Sequence, residues 1–176
     1  GAIAGTAALV GAGVWVASVG GDTERIRAWV REEFPTVSHV SIEALQERLE
    51  QGNPPVLLDV RQVEEYAVSR LPTARRVDPS ADAEELSYLG KDREIVVYCS
   101  VGYRSSRLAA RLQEAGYTNV KNLEGSIFAW AEKGYPLVQG EHRVRKVHPY
   151  GRAWAWLVPE DLRAYSPAAA LPDGPS

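Results

Sequence analysis

A single cysteine, Cys99, stands in 176 residues, and that scarcity excludes an intrachain disulfide, a Cys-x-x-Cys redox pair and a zinc site built from paired thiolates. Histidine is nearly as scarce. His39, His142 and His148 show no metal-ligand spacing and have no cysteine or carboxylate cluster beside them, so no metal is expected. A basic excess is missing too: 20 Lys and Arg against 23 Asp and Glu leave a net charge of -3, without the positive field of a general nucleic-acid binder. No nucleic-acid partner is expected. The stretch Gly11-Ala-Gly13 hints at a dinucleotide loop, but Val16 stands where a third glycine belongs and no clear strand precedes it. No organic cofactor is implied.

Charge is absent from residues 1–21, an Ala- and Gly-rich apolar run. As a helix it would reach about 30 Å, the hydrocarbon thickness of a bilayer. Gly1 and Gly5, and Ala4, Ala8 and Ala12, recur at the four-residue spacing that suits close helix contact. The leading expectation is a hydrophobic helix retained as a single N-terminal membrane span. A cleaved signal peptide and a helix docked on protein stay open, as does the side of the membrane. With no methionine and Gly1 first, the basic residues that would separate signal from anchor are expected to lie outside the sequence. Residues 22–36 follow as an amphipathic linker helix. Asp22 or Thr23 caps it, Ile26, Trp29, Val30 and Phe34 recur at three- and four-residue steps, and Pro35 ends it. Its charged face reads as solvation.

Strand and helix patterns then alternate. Val37 to Val40 reads as a short strand, Ser41 caps a helix carrying Ile42, Leu45 and Leu49 on one face, and Val56 to Val60 reads as a buried strand. A short helix near Val63 to Val68, a strand near Arg75 to Val77 and a helix near Ala83 to Leu89 lead to Ile95-Val-Val-Tyr98, an apolar run suited to a fully buried strand. This rhythm predicts an α/β fold with a mostly parallel central sheet flanked by helices. Functional groups in such sheets gather beyond the carboxyl ends of the strands, where Cys99 stands. Leu108, Leu112 and Ala115 recur at helical spacing up to Gly116, so Cys99 occupies a strand-to-helix turn. Backbone N–H groups gathered there, with the positive end of the helix, would stabilise a thiolate.

Residues 139–165 form a C-terminal extension. Two extended segments around a His148-Pro-Tyr-Gly151 turn predict a hairpin, with Trp154 and Trp156 on one strand face, packed on the domain or meeting a membrane or partner. Pro159-Glu-Asp-Leu opens a short helix, and residues 166–176, rich in Ala and Pro, read as a loose tail.

The stretch Cys99-Ser-Val-Gly102-Tyr-Arg104, closed by a helix, resembles the active-site loop of the rhodanese family. Val56-Leu-Leu-Asp59-Val-Arg61 with Glu65-Tyr66 resembles the family's Asp-Val-Arg, Glu-Tyr segment, and Leu71-Pro-Thr-Ala74 its Ile-Pro-Gly-Ala turn. Leu123-Glu-Gly125, Trp130 and Gly134-Tyr-Pro136-Leu resemble its closing segment. The resemblance implies a rhodanese-like domain over residues 37–138. It implies a sulfurtransferase that takes sulfur from a small donor, thiosulfate or a persulfide, and passes it to a thiol, a cyanide-like acceptor or a protein.

In that scheme Cys99 is the catalytic nucleophile and carries the sulfur as a persulfide. Arg104 is the second catalytic residue, binding an anionic donor, bracing the loop, or both. Ser100, Val101, Gly102 and Tyr103 form the substrate-binding loop, and Asp59 and Arg61 support it. Ser105 and Ser106 read as helix-start residues that satisfy backbone donors. Four residues separate Cys99 from Arg104, against five in the related phosphatases and arsenate reductases, which favours sulfur over a tetrahedral oxyanion. Two departures stand out. Ser69-Arg70 replaces the family's frequent Gly-His, and Thr73 replaces a glycine. The loop also lacks the extra cation of some thiosulfate-using members. The alternative is a non-catalytic interaction module or accessory subunit of a membrane protein assembly, held by its N-terminal segment and docking through its aromatic extension.

Overall fold

In the computed structural model, which describes residues 23–171, five short strands pair in parallel: β1 (Ser38–Val40), β2 (Val56–Asp59), β3 (Arg75–Arg76), β4 (Ile95–Tyr98) and β5 (Val120–Leu123). Their spatial order is β1-β5-β4-β2-β3. β4 is central, with Val97 level with Leu58 of β2 and Asn122 of β5. A strand covered on both faces has to be apolar throughout, and all four residues of β4 are buried. Alternation along it sorts the core. Val96 and Tyr98 pack with Leu57, Leu123 and Trp130 on one face, and Ile95, Val97 and Cys99 with Leu58, Leu108 and Leu112 on the other.

Helices cover both faces. α1 (Thr23–Glu33), α2 (Ile42–Glu50) and α5 (Ser126–Glu132) supply Ile26, Leu45 and Ile127 to the first cluster, and α4 (Tyr103–Glu114) supplies Leu108 and Leu112 to the second. α3 (Val63–Val68) follows β2. Ser41 caps α2 as its sequence predicts, its Oγ accepting the Ala44 N–H at 3.1 Å.

One predicted helix forms as read, and three later segments differ from expectation. The helix predicted at residues 22–36 is present as α1, its apolar face docked and Arg25, Arg31, Glu32 and Glu33 of its charged face exposed. Ile26 and Val30 are each only 2% exposed, and Arg31 pairs with Glu124 beyond β5. Residues 83–89 form successive turns instead of a helix, with the N–H groups of Leu86, Ser87 and Leu89 reaching Ala83, Glu84 and Leu86 at 3.2, 3.0 and 2.9 Å. A three-residue period sends Leu86 and Leu89 to the same side, where both are buried, so the short run reaches the core without nucleating an α-helix.

The hairpin expected around His148 to Gly151 does not form. Its place is taken earlier in the chain by β6 (Leu137–Gln139) and β7 (His142–Val144), antiparallel, turning at Gly140 with φ +57°. Residues Arg152–Leu157 form a 3-10 helix that starts from a Trp154 N–H to Gly151 O bond of 3.0 Å. The alternating Ala-Trp-Ala-Trp imitates a strand, but Pro149 and a left-handed Tyr150 (φ +68°) break extended backbone just before it. Trp154 and Trp156 therefore do not share a strand face. Glu160–Leu162 is a second 3-10 turn. The first part of the expected tail is ordered as α6 (Pro167–Ala170), capped by Ser166, with Ala170 buried against Val68 and Ala164.

The membrane span expected over residues 1–21 lies outside the described residues. Among those described, no helix is long and apolar enough to cross a membrane.

Thr73 occupies the left-handed region at φ +68° in the turn that Ala74 N–H closes onto Leu71 O at 3.2 Å. Pro72 before a positive φ marks a type II turn, whose third position favours glycine. A β-branched residue there costs on the order of 1–2 kcal/mol. Thr73→Gly should relieve that strain and lose part of the gain to unfolded-chain entropy, for a net stabilisation of about 0.5–1 kcal/mol in urea unfolding. A loss of stability would mean that the threonine side chain contributes more than its backbone costs.

Candidate active site

β4 ends at Tyr98 and α4 begins at Tyr103, leaving Cys99 to Gly102 as the loop between them. Gly102 has φ +110°, and a Cβ there would stand 3.2 Å from Asn122 Nδ2, so both backbone and space call for glycine. The loop carbonyls are tied down from below. Ile127 N–H donates to Cys99 O and Phe128 N–H to Ser100 O, both at 3.2 Å, while Cys99 N–H donates to Ser126 Oγ at 3.2 Å. In a trans peptide the N–H points opposite to the carbonyl, so the Ser100 and Val101 N–H groups are turned away from α5.

The sulfur is 1% exposed for its residue and lies at the floor of a cleft. Gly102 N–H donates to Cys99 Sγ at 3.2 Å, and Ser105 Oγ stands 3.5 Å away. Burial alone would push the thiol up. The Arg104 charge, the Ser105 side chain and backbone, and the Gly102 N–H outweigh that and hold it below its ordinary value. Ser105 is thus more than a helix-start residue. Its hydroxyl also donates to Asn122 Oδ1 at 2.6 Å, and Asn122 Nδ2 lies 3.1 Å from His39 Nδ1. One hydroxyl hydrogen serves two acceptors, so donation to an ionised sulfur competes with the bond to Asn122.

Arg104 braces the loop through a partner absent from the sequence-level set, Glu65 of α3. Its Nη1 and Nη2 donate to Glu65 Oε2 and Oε1 at 2.8 and 2.9 Å, and Nη2 also donates to Ser100 Oγ at 2.9 Å. Ser100 Oγ passes its hydrogen to Glu65 Oε1 at 3.0 Å, and Gln62 N–H fills Oε2 at 3.0 Å. Burial works to raise the Glu65 carboxyl, but Arg104, Gln62 and Arg61 hold it below the usual carboxylate range.

Asp59 and Arg61 are fully buried and bound to each other, with Arg61 Nε on Oδ1 at 2.9 Å and Nη2 on Oδ2 at 2.7 Å. Arg61 Nη2 also donates to Ser69 O at 2.6 Å, and Tyr98 Oη accepts the Leu71 N–H at 3.1 Å. The pair anchors the segment after α3 rather than touching the Cys99 loop. Among the described residues, no group of three His, Cys, Asp or Glu side chains could hold a metal.

Trp29, Val101, Tyr103, Arg104, Phe128, Tyr150 and Trp154 line the cleft with Cys99 and Ser100. The Trp29 and Tyr103 rings stack at 4.9 Å with planes 8° apart. Trp29, Phe128, Tyr150 and Trp154 were not among the sequence-level site residues. The helical period of residues 26–34 placed Trp29 on a buried face without saying what that face covers.

A profile of the rhodanese-like domain matches residues 41–133, more than half of the chain. The chain belongs to the rhodanese-like family. A sulfurtransferase of Allochromatium vinosum is 36% identical to it over 105 residues, covering 60% of this chain and 98% of the relative. Thiosulfate sulfurtransferase 16, chloroplastic, of Arabidopsis thaliana is 30% identical over 117 residues, covering 60% of this chain and 96% of the relative. The crystal structure of the Alr3790 protein from Anabaena sp. matches with a TM-score of 0.53 at 30% identity, over 56% of this chain and 79% of that one. Both named relatives are sulfurtransferases, which supports sulfur transfer as the class of reaction for this rhodanese-like chain.

A thiol held below its ordinary value is reactive at lower pH. Alkylation of Cys99 by iodoacetamide should therefore reach half its maximal rate at a lower pH than alkylation of an unperturbed cysteine thiol. Ser105→Ala removes one donor to the anion and should move that midpoint up by about one pH unit, the worth of one charged hydrogen bond. An unmoved midpoint would leave the hydroxyl to Asn122 alone.

Proposed function

We propose that this rhodanese-like chain is a sulfurtransferase that carries sulfane sulfur as a persulfide on Cys99. The observation that carries the reading is the sulfur at the floor of the cleft, facing N–H and hydroxyl donors with its thiol held down. The thiolate attacks the outer sulfur of a donor R–S–SH. A bond forms between Cys99 Sγ and that sulfur, the donor's S–S bond breaks, and R–S⁻ leaves with the electron pair. A nucleophilic acceptor, a thiol, cyanide or a protein group, then takes the outer sulfur and returns the thiolate.

The loop supplies electrostatics. N–H groups turned away from α5, with the N-terminus of α4, are the groups suited to the negative outer sulfur of Cys–S–S⁻. Arg104 contributes its field and holds the loop's shape, because its guanidinium edge is already taken by Glu65. Ser100, Val101, Gly102 and Tyr103 present the donor to the sulfur. Asp59 and Arg61 act as remote supports.

Residues 37–138 carry the chemistry in this scheme, with Trp29 from the 22–36 linker and Tyr150 and Trp154 from the 139–165 extension lining the site, and 166–176 following. The uncharged residues 1–21 support a membrane tether, which would place the reaction at a membrane surface and leave room for a membrane protein partner.

Two results are expected. Initial rates of thiocyanate formation from a sulfane donor and cyanide should give parallel double-reciprocal lines, and Cys99→Ala should abolish them; intersecting lines or an active alanine variant would overturn the persulfide route. The full chain should stay with membranes through an alkaline carbonate wash, and removal of residues 1–21 should release it. Release of the intact chain would sink the tether.

A further inference from the structure

Three of the rings that wall the cleft above Cys99 come from outside the family-matched residues 41–133. Trp29 stands on α1, and Tyr150 and Trp154 come from the C-terminal extension; Tyr103 and Phe128 complete the lining. Tyr150 and Trp154 meet edge to face at 6.2 Å. The cleft offers a cavity of about 100 Å³, room for more than one sulfur atom. Among the described residues, Arg104 is the only charged one in its lining, and its charge is already engaged. Glu65 takes two of its nitrogens at 2.8 and 2.9 Å, and the Tyr150 ring centre covers its central carbon at 4.6 Å.

A small dianion such as thiosulfate would find, among the described lining residues, no cation without an acidic partner, and would leave the apolar lining to water. A donor with an apolar substituent would displace that water and pack on the rings. We infer that the sulfane donor is organic, a persulfide or thiosulfonate whose outer sulfur is attached through the second centre to a hydrophobic and preferably aromatic group. This inference rests on the reading of Cys99 as sulfur carrier. With a thiosulfonate R–SO₂–S⁻, the thiolate bonds to the outer sulfur, the S–S bond to the sulfonyl group breaks, and the sulfinate R–SO₂⁻ departs with the electron pair. Charge and atoms balance without an added oxidant, reductant or proton. Trp29, Tyr150 and Trp154 then set donor specificity.

The test compares thiosulfate, methanethiosulfonate and benzenethiosulfonate as donors to the full chain, with cyanide as acceptor. Benzenethiosulfonate should exceed methanethiosulfonate in kcat/KM by at least about tenfold, the discrimination an apolar pocket provides, and should exceed thiosulfate. Trp154→Ala should bring the phenyl-to-methyl ratio toward one, mainly through KM, and Trp154→Phe should keep most of it. Equal rates for phenyl and methyl donors in the unaltered chain, or a preference for thiosulfate, would overturn this inference and leave the sulfur-carrier reading intact. No thiocyanate from any of the three would overturn both.

Discussion

Arg104 and Glu65 stand 39 positions apart, on α4 and α3, and their two-point contact joins the loop above β4 to the helix after β2. The buried Glu65 charge would not be tolerated alone. A carboxylate as buried as Glu65 gives up hydration that only a cation and several donors can replace, and Arg104, Ser100 and Gln62 fill its oxygens. The pair thereby fixes Ser100 and the end of the loop, which leaves Gly102 N–H on the sulfur. Its sign with pH follows from the lowered carboxyl. The stabilisation from Glu65 is fully present above its unfolded value and is lost as pH falls through its folded one.

A second buried pair does comparable work beneath the first. Asp59 and Arg61 sit at the carboxyl end of β2 and reach Ser69 O, while Tyr98 at the end of β4 takes the Leu71 N–H. Together they hold residues 69–71 against the sheet. Two strand ends, β2 and β4, are thus locked by polar networks at the edge where a parallel sheet gathers its functional groups. The apolar alternation of β4 decides which way Cys99 points, and the networks decide what meets it.

Much of this was legible in the residues. The β-branched run Ile95 to Val97, the Ser41 cap and the Leu108, Leu112, Gly116 spacing are local signals, and each element formed where those signals stood. Cys99 and its loop were legible because the strand stops and a helix starts within a few residues. Glu65 is legible only as part of a motif, because an ion pair across 39 positions leaves no local trace. The same holds for Ser105, whose capping preference masked its place beside the sulfur. The C-terminal extension misled for another reason: its Ala-Trp alternation has strand period, yet Pro149 and the left-handed Tyr150 dictate a 3-10 helix. The docking of α1 and the cleft walls depend on tertiary contact alone.

Family membership supplies the class of reaction, and the cleft supplies its setting: a lone thiol held toward its anion, under an aromatic roof to which Trp29, Tyr150 and Trp154 contribute from outside the family-matched segment. The most direct test of the account is intact mass of the full chain after exposure to a sulfane donor, followed by cyanide. The account predicts the gain of one sulfur atom, confined to Cys99, removed by cyanide and absent from Cys99→Ala. A chain that turns over donor to thiocyanate without ever gaining that sulfur, or that gains it in the alanine variant, would contradict it.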